Sequence, residues 1–206
     1  MRERQLPMSE PLFEGLTFKV ADAAEVAQAI VLRDQVYKDD VGHVPTDDLD
    51  AHSYHLVACD RRGDVIAAFR IVGPDQRPFE IEQFVNLFDV IQPDRCPALI
   101  GRLCVRRDYR KIRTGTFVQI GLLKLTYDFA LKRGFTDLFM YTFPHLLKFY
   151  RGAFFKLLNI SFDHPGYGCR MHLMHLDLIG LKEQHSKSKS SLARLLFAKD
   201  LPNFVV

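Results

Sequence analysis

The most constraining stretch of the chain runs from Ala98 to Thr142. Ala98–Val105 (ALIGRLCV) is apolar nearly throughout, the pattern of a central strand buried on both faces. Asp108–Gly115 is a charged turn, and Thr116–Arg133 reads as a long helix closed by Gly134 as its C′ residue. Asp137–Thr142 (DLFMYT) is a second buried strand. Strand, long helix, strand is a crossover unit, and two strands joined this way belong to one sheet.

The flanking elements extend that sheet. Leu16–Val20 is a short β run. Asp22 with Glu25 three residues on forms a capping-box pattern, opening a helix that runs to about Lys38. His55–Asp60 and Val65–Val72, split by the turn Arg61-Arg62-Gly63-Asp64, read as a hairpin. Phe84–Val90 is expected to be a short helix. Pro144 suits the first turn of a helix reaching about Leu157, and Met171–Leu178 is expected as the final strand. The fold class is therefore α/β (α+β): one mixed, twisted central sheet with helices on both faces. The 206 residues divide into an arm (1–15), one domain (16–180) and a basic tail (181–206), with no internal repeat.

Composition narrows the function classes. A net charge of +3 is too mild to point to nucleic acid. The 4 Cys (Cys59, Cys96, Cys104, Cys169) contain no CxxC and are not expected to pair. The first twenty residues lack an apolar signal core, and no apolar run approaches the roughly 20 residues that span a bilayer. A cytoplasmic protein without stable membrane insertion is the expectation. His172-x-x-His175 lies on a strand, where residues three apart face opposite ways, so no metal site is expected. The chain has 17 Phe and 7 Tyr but no Trp. That surplus is either a Phe-heavy core or the lining of a pocket for something greasy.

Chemistry concentrates in Leu103–Thr116 (LCVRRDYRKIRTGT), which holds Arg106, Arg107, Arg110, Lys111 and Arg113. A strand ends, a basic turn follows, and helix-start amides with the dipole behind them favour an anion such as a phosphate. Thr114, Gly115 and Thr116 complete that candidate anion site, Gly115 allowing close backbone approach.

The run Val105–Arg106–Arg107–Asp108–Tyr109–Arg110 with Gly115 resembles the acyl-CoA loop of the Gcn5-related N-acetyltransferase fold, with Arg113 where that loop carries its first glycine. Phe149-Tyr150-Arg151-Gly152 is similar to that fold's later tyrosine signature. Leu32-Arg33-x-x-Val36-Tyr37-Lys38, Gly42-His43, Asp48-x-Asp50 and Ala68-Phe69-Arg70 resemble the acyl-homoserine lactone synthases. Three positions depart from those: Leu99 stands for a Glu, His43 for a Trp, and Arg113 for the loop glycine. The pattern over 16–180 is more similar to long-chain N-acyl amino acid synthases, the N-acyltyrosine synthases among them. The resemblance implies transfer of a long acyl chain from an acyl carrier protein to the α-amine of an amino acid, tyrosine favoured. Alternatives are a lactone synthase and an acyl-CoA-dependent N-acetyltransferase. No permanently bound cofactor is implied; the co-substrate is the acyl-phosphopantetheine of the carrier, or acyl-CoA.

The resemblance also implies roles. Leu103, Cys104 and Val105 lie with their backbone beside the thioester, and Tyr150 is the candidate acid for the leaving thiolate, or else a core tyrosine. Arg106, Arg107, Arg110, Lys111, Arg113, Thr114, Gly115 and Thr116 hold the carrier and its phosphopantetheine. Arg33, Arg70 and Arg102 with Asp48 and Asp50 form either a buried ionic network or a grip on the amino-acid carboxylate. Met140, Tyr141, Phe143, Phe149 and Phe154 line an acyl tunnel or ordinary core. Glu80 and Glu82 (in FEIEQF) read as surface or structural carboxylates, leaving the general base open between a carboxylate and water. Cys104, on an apolar strand, reads as inert packing.

Overall fold

The protein, seen in a computed structural model, is described over residues 13–44, 48–87, 90–110, 112–181, 191–199 and 201–206, with the backbone alone at 112–116 and 191. Its strands are β1 (Thr17–Val20), β2 (Tyr54–Cys59), β3 (Val65–Val72), β4 (Pro97–Val105), β5 (Asp137–Thr142), β6 (Lys156–His164), β7 (Cys169–Asp177) and β8 (Phe204–Val205). The helices are α1 (Ala23–Val41), α2 (Ile112–Lys132), α3 (Leu147–Gly152) and α4 (Ser191–Leu196). The strands form one mixed sheet in the order β6-β7-β5-β4-β3-β2-β1-β8, with parallel pairs at β4–β5 and β1–β8.

Helices cover both faces. On one, α1 sets Ala29 and Val36 over Val57, Cys59, Val65, Ala68 and Cys104. On the other, α2 sets Val118, Leu122 and Leu125 in one cluster with Leu56, Ala58, Ile66, Phe69 and Ile71. The α1 face continues across the sheet as a second apolar cluster of Val72, Leu99, Phe139, Phe162, Met171 and Leu173. Among the described residues no α-helix lies there; Phe79, Ile81 and Leu87 of the segment between β3 and β4 close it.

Local chemistry explains the helix ends. The Asp22 side chain accepts from the amides of Ala24 and Glu25, and Glu25 returns the bond to the Asp22 amide at 3.0 Å. Gly42 takes the left-handed conformation (φ +72°) that ends α1. α2 starts at Ile112, four residues before the expected Thr116.

Three further expectations are corrected. Phe84–Val90 is not a helix through its described residues: a 3-10 turn occupies Glu80–Gln83, where Glu82 Oε2 accepts the Phe79 amide at 2.7 Å; 88–89 lie outside the described residues. The helix after Pro144 ends at Gly152, and Lys156–His164 is strand β6 of a hairpin with β7. Phe13 is not loose arm: it packs edge-on against Phe18 and Phe204 at 5.1 and 5.2 Å.

Candidate active site

The sheet opens at its centre. β4 and β5 pair only at Pro97–Asp137, Ala98–Leu138 and Leu99–Phe139. Beyond them β4 continues to Val105 against β3 alone, and β5 to Thr142 against β7 alone. A wedge therefore opens between Ile100–Val105 and Met140–Thr142.

A bulge lies on the wedge's β4 wall. Ala68 faces Cys104 and Arg70 faces Gly101, so Phe69 stands opposite both Arg102 and Leu103. Arg102 adopts φ +59°, a left-handed conformation that a non-glycine residue holds only when its surroundings fix it. The Arg106 amide is donated to Ile66 on β3 at 2.7 Å. Backbone groups alternate along a strand, so those of Leu103 and Val105 point into the wedge and those of Cys104 towards β3. Of the three residues expected beside a thioester, Leu103 and Val105 turn their backbone groups to the wedge and Cys104 does not. The Cys104 side chain is buried beneath α1, and burial pushes its thiol up to about 12.

A continuous ionic network sits on the α1 side of the wedge. Arg33 from α1 donates to Asp50 at 2.7 Å, and Arg70 from β3 donates to Asp50 at 3.0 Å and to Glu80 Oε2 at 3.3 Å. Arg102 donates to Glu80 Oε2 at 2.5 Å and to the Tyr141 and Tyr167 hydroxyls at 3.3 and 2.8 Å. Tyr141 donates to Glu80 Oε1 at 2.7 Å. Burial alone would raise the Asp50 carboxyl, but hydrogen bonds from Arg33 and Arg70 outweigh it and hold it below the usual carboxylate range. Burial pushes the neighbouring His55 imidazole down, so it stays neutral while donating to the Asp50 carbonyl. Asp48 is exposed and takes no part in this network among the described residues.

Glu80, Tyr167, His43 and His164 were not marked as site residues by their sequence context. Glu80 arrives from the 3-10 turn, and the others meet through the β6–β7 turn. His164 stacks on Tyr167 at 4.1 Å, and His43 meets Tyr167 edge-on at 5.7 Å. Gly166 admits the His43 ring, since a Cβ there would collide with it. The signal available in the sequence was the turn run His164–Gly168, whose glycines and tyrosine mark a loop able to fold over a neighbour.

The α2 side of the wedge is apolar. Tyr150 is buried in the α2 cluster with Met140, and its ring packs against Phe149 and Phe155. No hydrogen bond holds its hydroxyl among the described residues, and burial keeps its pKa well above the usual tyrosine range. The five tunnel candidates divide between faces. Met140, Phe149 and Phe154 belong to the α2 cluster, whereas Tyr141 and Phe143 pack against the cluster on the α1 face.

The basic loop is partly neutralised by its own chain. Arg106 pairs with Asp108 at 2.9 Å, and Arg110 with Asp40 at 2.5 Å while its Nε donates to the Val105 carbonyl at 2.6 Å. Arg107 is exposed. Lys111 and the side chains of Arg113, Thr114, Gly115 and Thr116 lie outside the described residues. Among the described residues no cluster of His, Cys, Asp and Glu is fit to hold a metal, and no helix is long and apolar enough to cross a membrane.

Comparison with known proteins agrees with this geometry. Residues 32–118 match the model of the acetyltransferase (GNAT) domain, a span that includes the second half of α1, the bulge and the start of α2. No curated protein matches the chain significantly. The structure is similar to FeeM, an N-acyl amino acid synthase from uncultured soil microbes (TM-score 0.71, 12% identity, covering 84% of this chain and 94% of that one). It is also similar to the AHL synthase LasI (TM-score 0.62, 13% identity, 88% and 94% covered). A third likeness is to an acyl-CoA N-acyltransferase from Pseudomonas aeruginosa (TM-score 0.56, 17% identity, 78% and 98% covered). Residues 32–118 thus resemble an acetyltransferase (GNAT) domain, and the chain has the fold seen in the N-acyl amino acid synthase FeeM and the AHL synthase LasI.

Proposed function

We propose that the protein is an N-acyltransferase that moves a long-chain acyl group from an acyl carrier protein thioester to the α-amine of an amino acid, tyrosine being the favoured acceptor. The observation that carries this reading is the two-sided wedge: backbone amides of Leu103 and Val105 that face it, an apolar wall with Tyr150 on one side, and an arginine-carboxylate network on the other. The fold shared with an N-acyl amino acid synthase supports it.

In this reading the amine nitrogen attacks the thioester carbon, and the oxygen that gains charge meets the wedge-facing amides. The C–S bond then breaks. A free thiol has a pKa near 8.5, well below that of Tyr150, so full proton donation by the phenol is uphill. Tyr150 accordingly steadies the departing sulfur with a hydrogen bond, and the proton that completes the thiol is the one nitrogen sheds. The acyl chain lies along Met140, Phe149 and Phe154, on the same side as Tyr150. The amino acid approaches from the side of Arg102 and Tyr167.

The test is to incubate the purified protein with long-chain acyl carrier protein and a panel of amino acids, with S-adenosylmethionine and acetyl-CoA arms alongside. An acyl amide detected by mass spectrometry, strongest with tyrosine, is the expected product. Absence of any acyl amide overturns the reading, and a lactone or acetylated product replaces it with one of the two alternatives. Carrier docking is read from Arg107→Glu, which should weaken carrier binding several-fold without lowering Tm. Arg110→Glu should lower Tm, because it breaks both the Asp40 pair and the clamp on the end of β4.

A further inference from the structure

One carboxylate touches both strands that border the wedge, and β3 behind them. Glu80 Oε2 receives Arg70 of β3 at 3.3 Å and Arg102 of β4 at 2.5 Å, and Oε1 receives the hydroxyl of Tyr141 on β5 at 2.7 Å. These contacts fall just beyond Leu99 and Phe139, the last pair that holds β4 to β5. From there on the two strands share no backbone ladder, so the span from Arg102 through Glu80 to Tyr141 links them through side chains. Arg102 is also the residue held at φ +59°, which its side-chain partners must help to fix.

Glu80 comes from neither wall. It is carried by the 3-10 turn, which is itself locked by Glu82, whose carboxylate takes Arg77 at 2.5 Å and the Phe79 amide at 2.7 Å. With Phe79 and Ile81 buried beneath it, the turn is a fixed platform rather than a loose loop.

We infer that Glu80 is a positioning residue: a strut across the open wedge that sets its width, and with it the slot that admits the thioester. This rests on the acyl-transfer reading for its consequence in catalysis, but the strut itself is a property of the sheet. As a base the carboxylate is badly placed, because two guanidinium groups share one of its oxygens and a phenol holds the other.

Two variants test it. Glu80→Gln keeps the length and removes the charge, and Tyr141→Phe removes the β5 end of the strut, together with the longer direct bond from Arg102 at 3.3 Å, and leaves no buried charge unpaired. Hydrogen exchange is measured first and needs no substrate. Amides of Gly101, Cys104 and 140–142 should exchange faster in both variants, with α1 and β2 unchanged. Unchanged exchange along β4 and β5 in folded variants overturns the strut whether or not the protein transfers acyl groups; acceleration spread evenly over the sheet also overturns it, as mere loss of stability. In the acyl-transfer assay kcat should fall about 10- to 100-fold, as misplacement near 1 Å does. The KM for the thioester should rise and that for the amine stay constant. A rise confined to the amine KM would assign Glu80 to the acceptor pocket and overturn the strut. The two losses should be less than additive in the double variant, since both act on one link.

Discussion

At the scale of single residues, Tyr150 is where packing and chemistry separate most cleanly. Its ring is held by Phe149 and Phe155, but its hydroxyl has no partner among the described residues. Tyr150→Phe should therefore leave Tm nearly unchanged while lowering kcat for acyl transfer about 10²-fold, the cost of removing one transition-state donor; equal activity in the two proteins would make it a core tyrosine only. Tyr150 was visible because Phe149-Tyr150-Arg151-Gly152 resembles the fold's later tyrosine signature. The arginines were visible for a different reason: Arg33, Arg70 and Arg102 stand in apolar elements where an unpaired guanidinium is rare. Their partners were half visible. Asp50 was named beside Asp48, yet two residues of spacing along the loop decide which of them turns inward, and that is a tertiary matter. Glu80 was harder still. Nothing in FEIEQF distinguishes the carboxylate that reaches a network 22 residues away in Arg102 from Glu82, which closes its own turn.

At the scale of elements, the close approach of β1 and α2 yields a test. Gly121 lies against the Phe18 ring, and a Cβ there would collide with it. Phe18 is fully buried and stacked on Phe204 at 4.8 Å, so it has nowhere to move. Gly121→Ala should lower stability by about 1–3 kcal/mol in denaturant unfolding despite the better helix propensity of alanine. A more stable variant would mean that the ring has room. The same scale shows what could be read along the chain. β4 and β5 announced themselves as apolar runs, and α1 by its capping box. β6 did not, because as an edge strand it keeps only Phe162 buried and shows no clean alternation. α3 was expected to reach about Leu157, because the sequence offers no sign that Phe154 takes φ +70° and redirects the chain into a strand. The wedge was invisible to pattern alone. Ala98–Val105 reads as one strand, and where its partner leaves it is decided by the bulge.

At the scale of the whole molecule, acid should remove stability in two stages. The His55 imidazole is depressed below its ordinary 6.5 by burial, so the unfolded chain takes up protons first and stability declines as pH falls through that value. Asp50 and Asp137 are held below their ordinary 3.8, Asp137 by His175, Arg95 and Thr136 against the opposing effect of burial. Their contribution is present above that value and lost as pH falls beneath it. Tm measured from pH 8 to 3 should be level at first, slope down from about 6.5, and drop steeply below about 4; a Tm that rises between pH 7 and 5.5 would contradict the first stage. The closing of the sheet by β8 has a consequence in time. Phe18, near the start of the chain, is covered by Phe204, near its end, and Asn203 binds the carbonyls of Phe13 and Leu16. At roughly 5–20 residues per second, a ribosome needs on the order of ten seconds or more to deliver one after the other. Throughout that interval the nascent protein carries an uncovered aromatic surface around Phe18, and it is a natural client for a chaperone until β8 arrives.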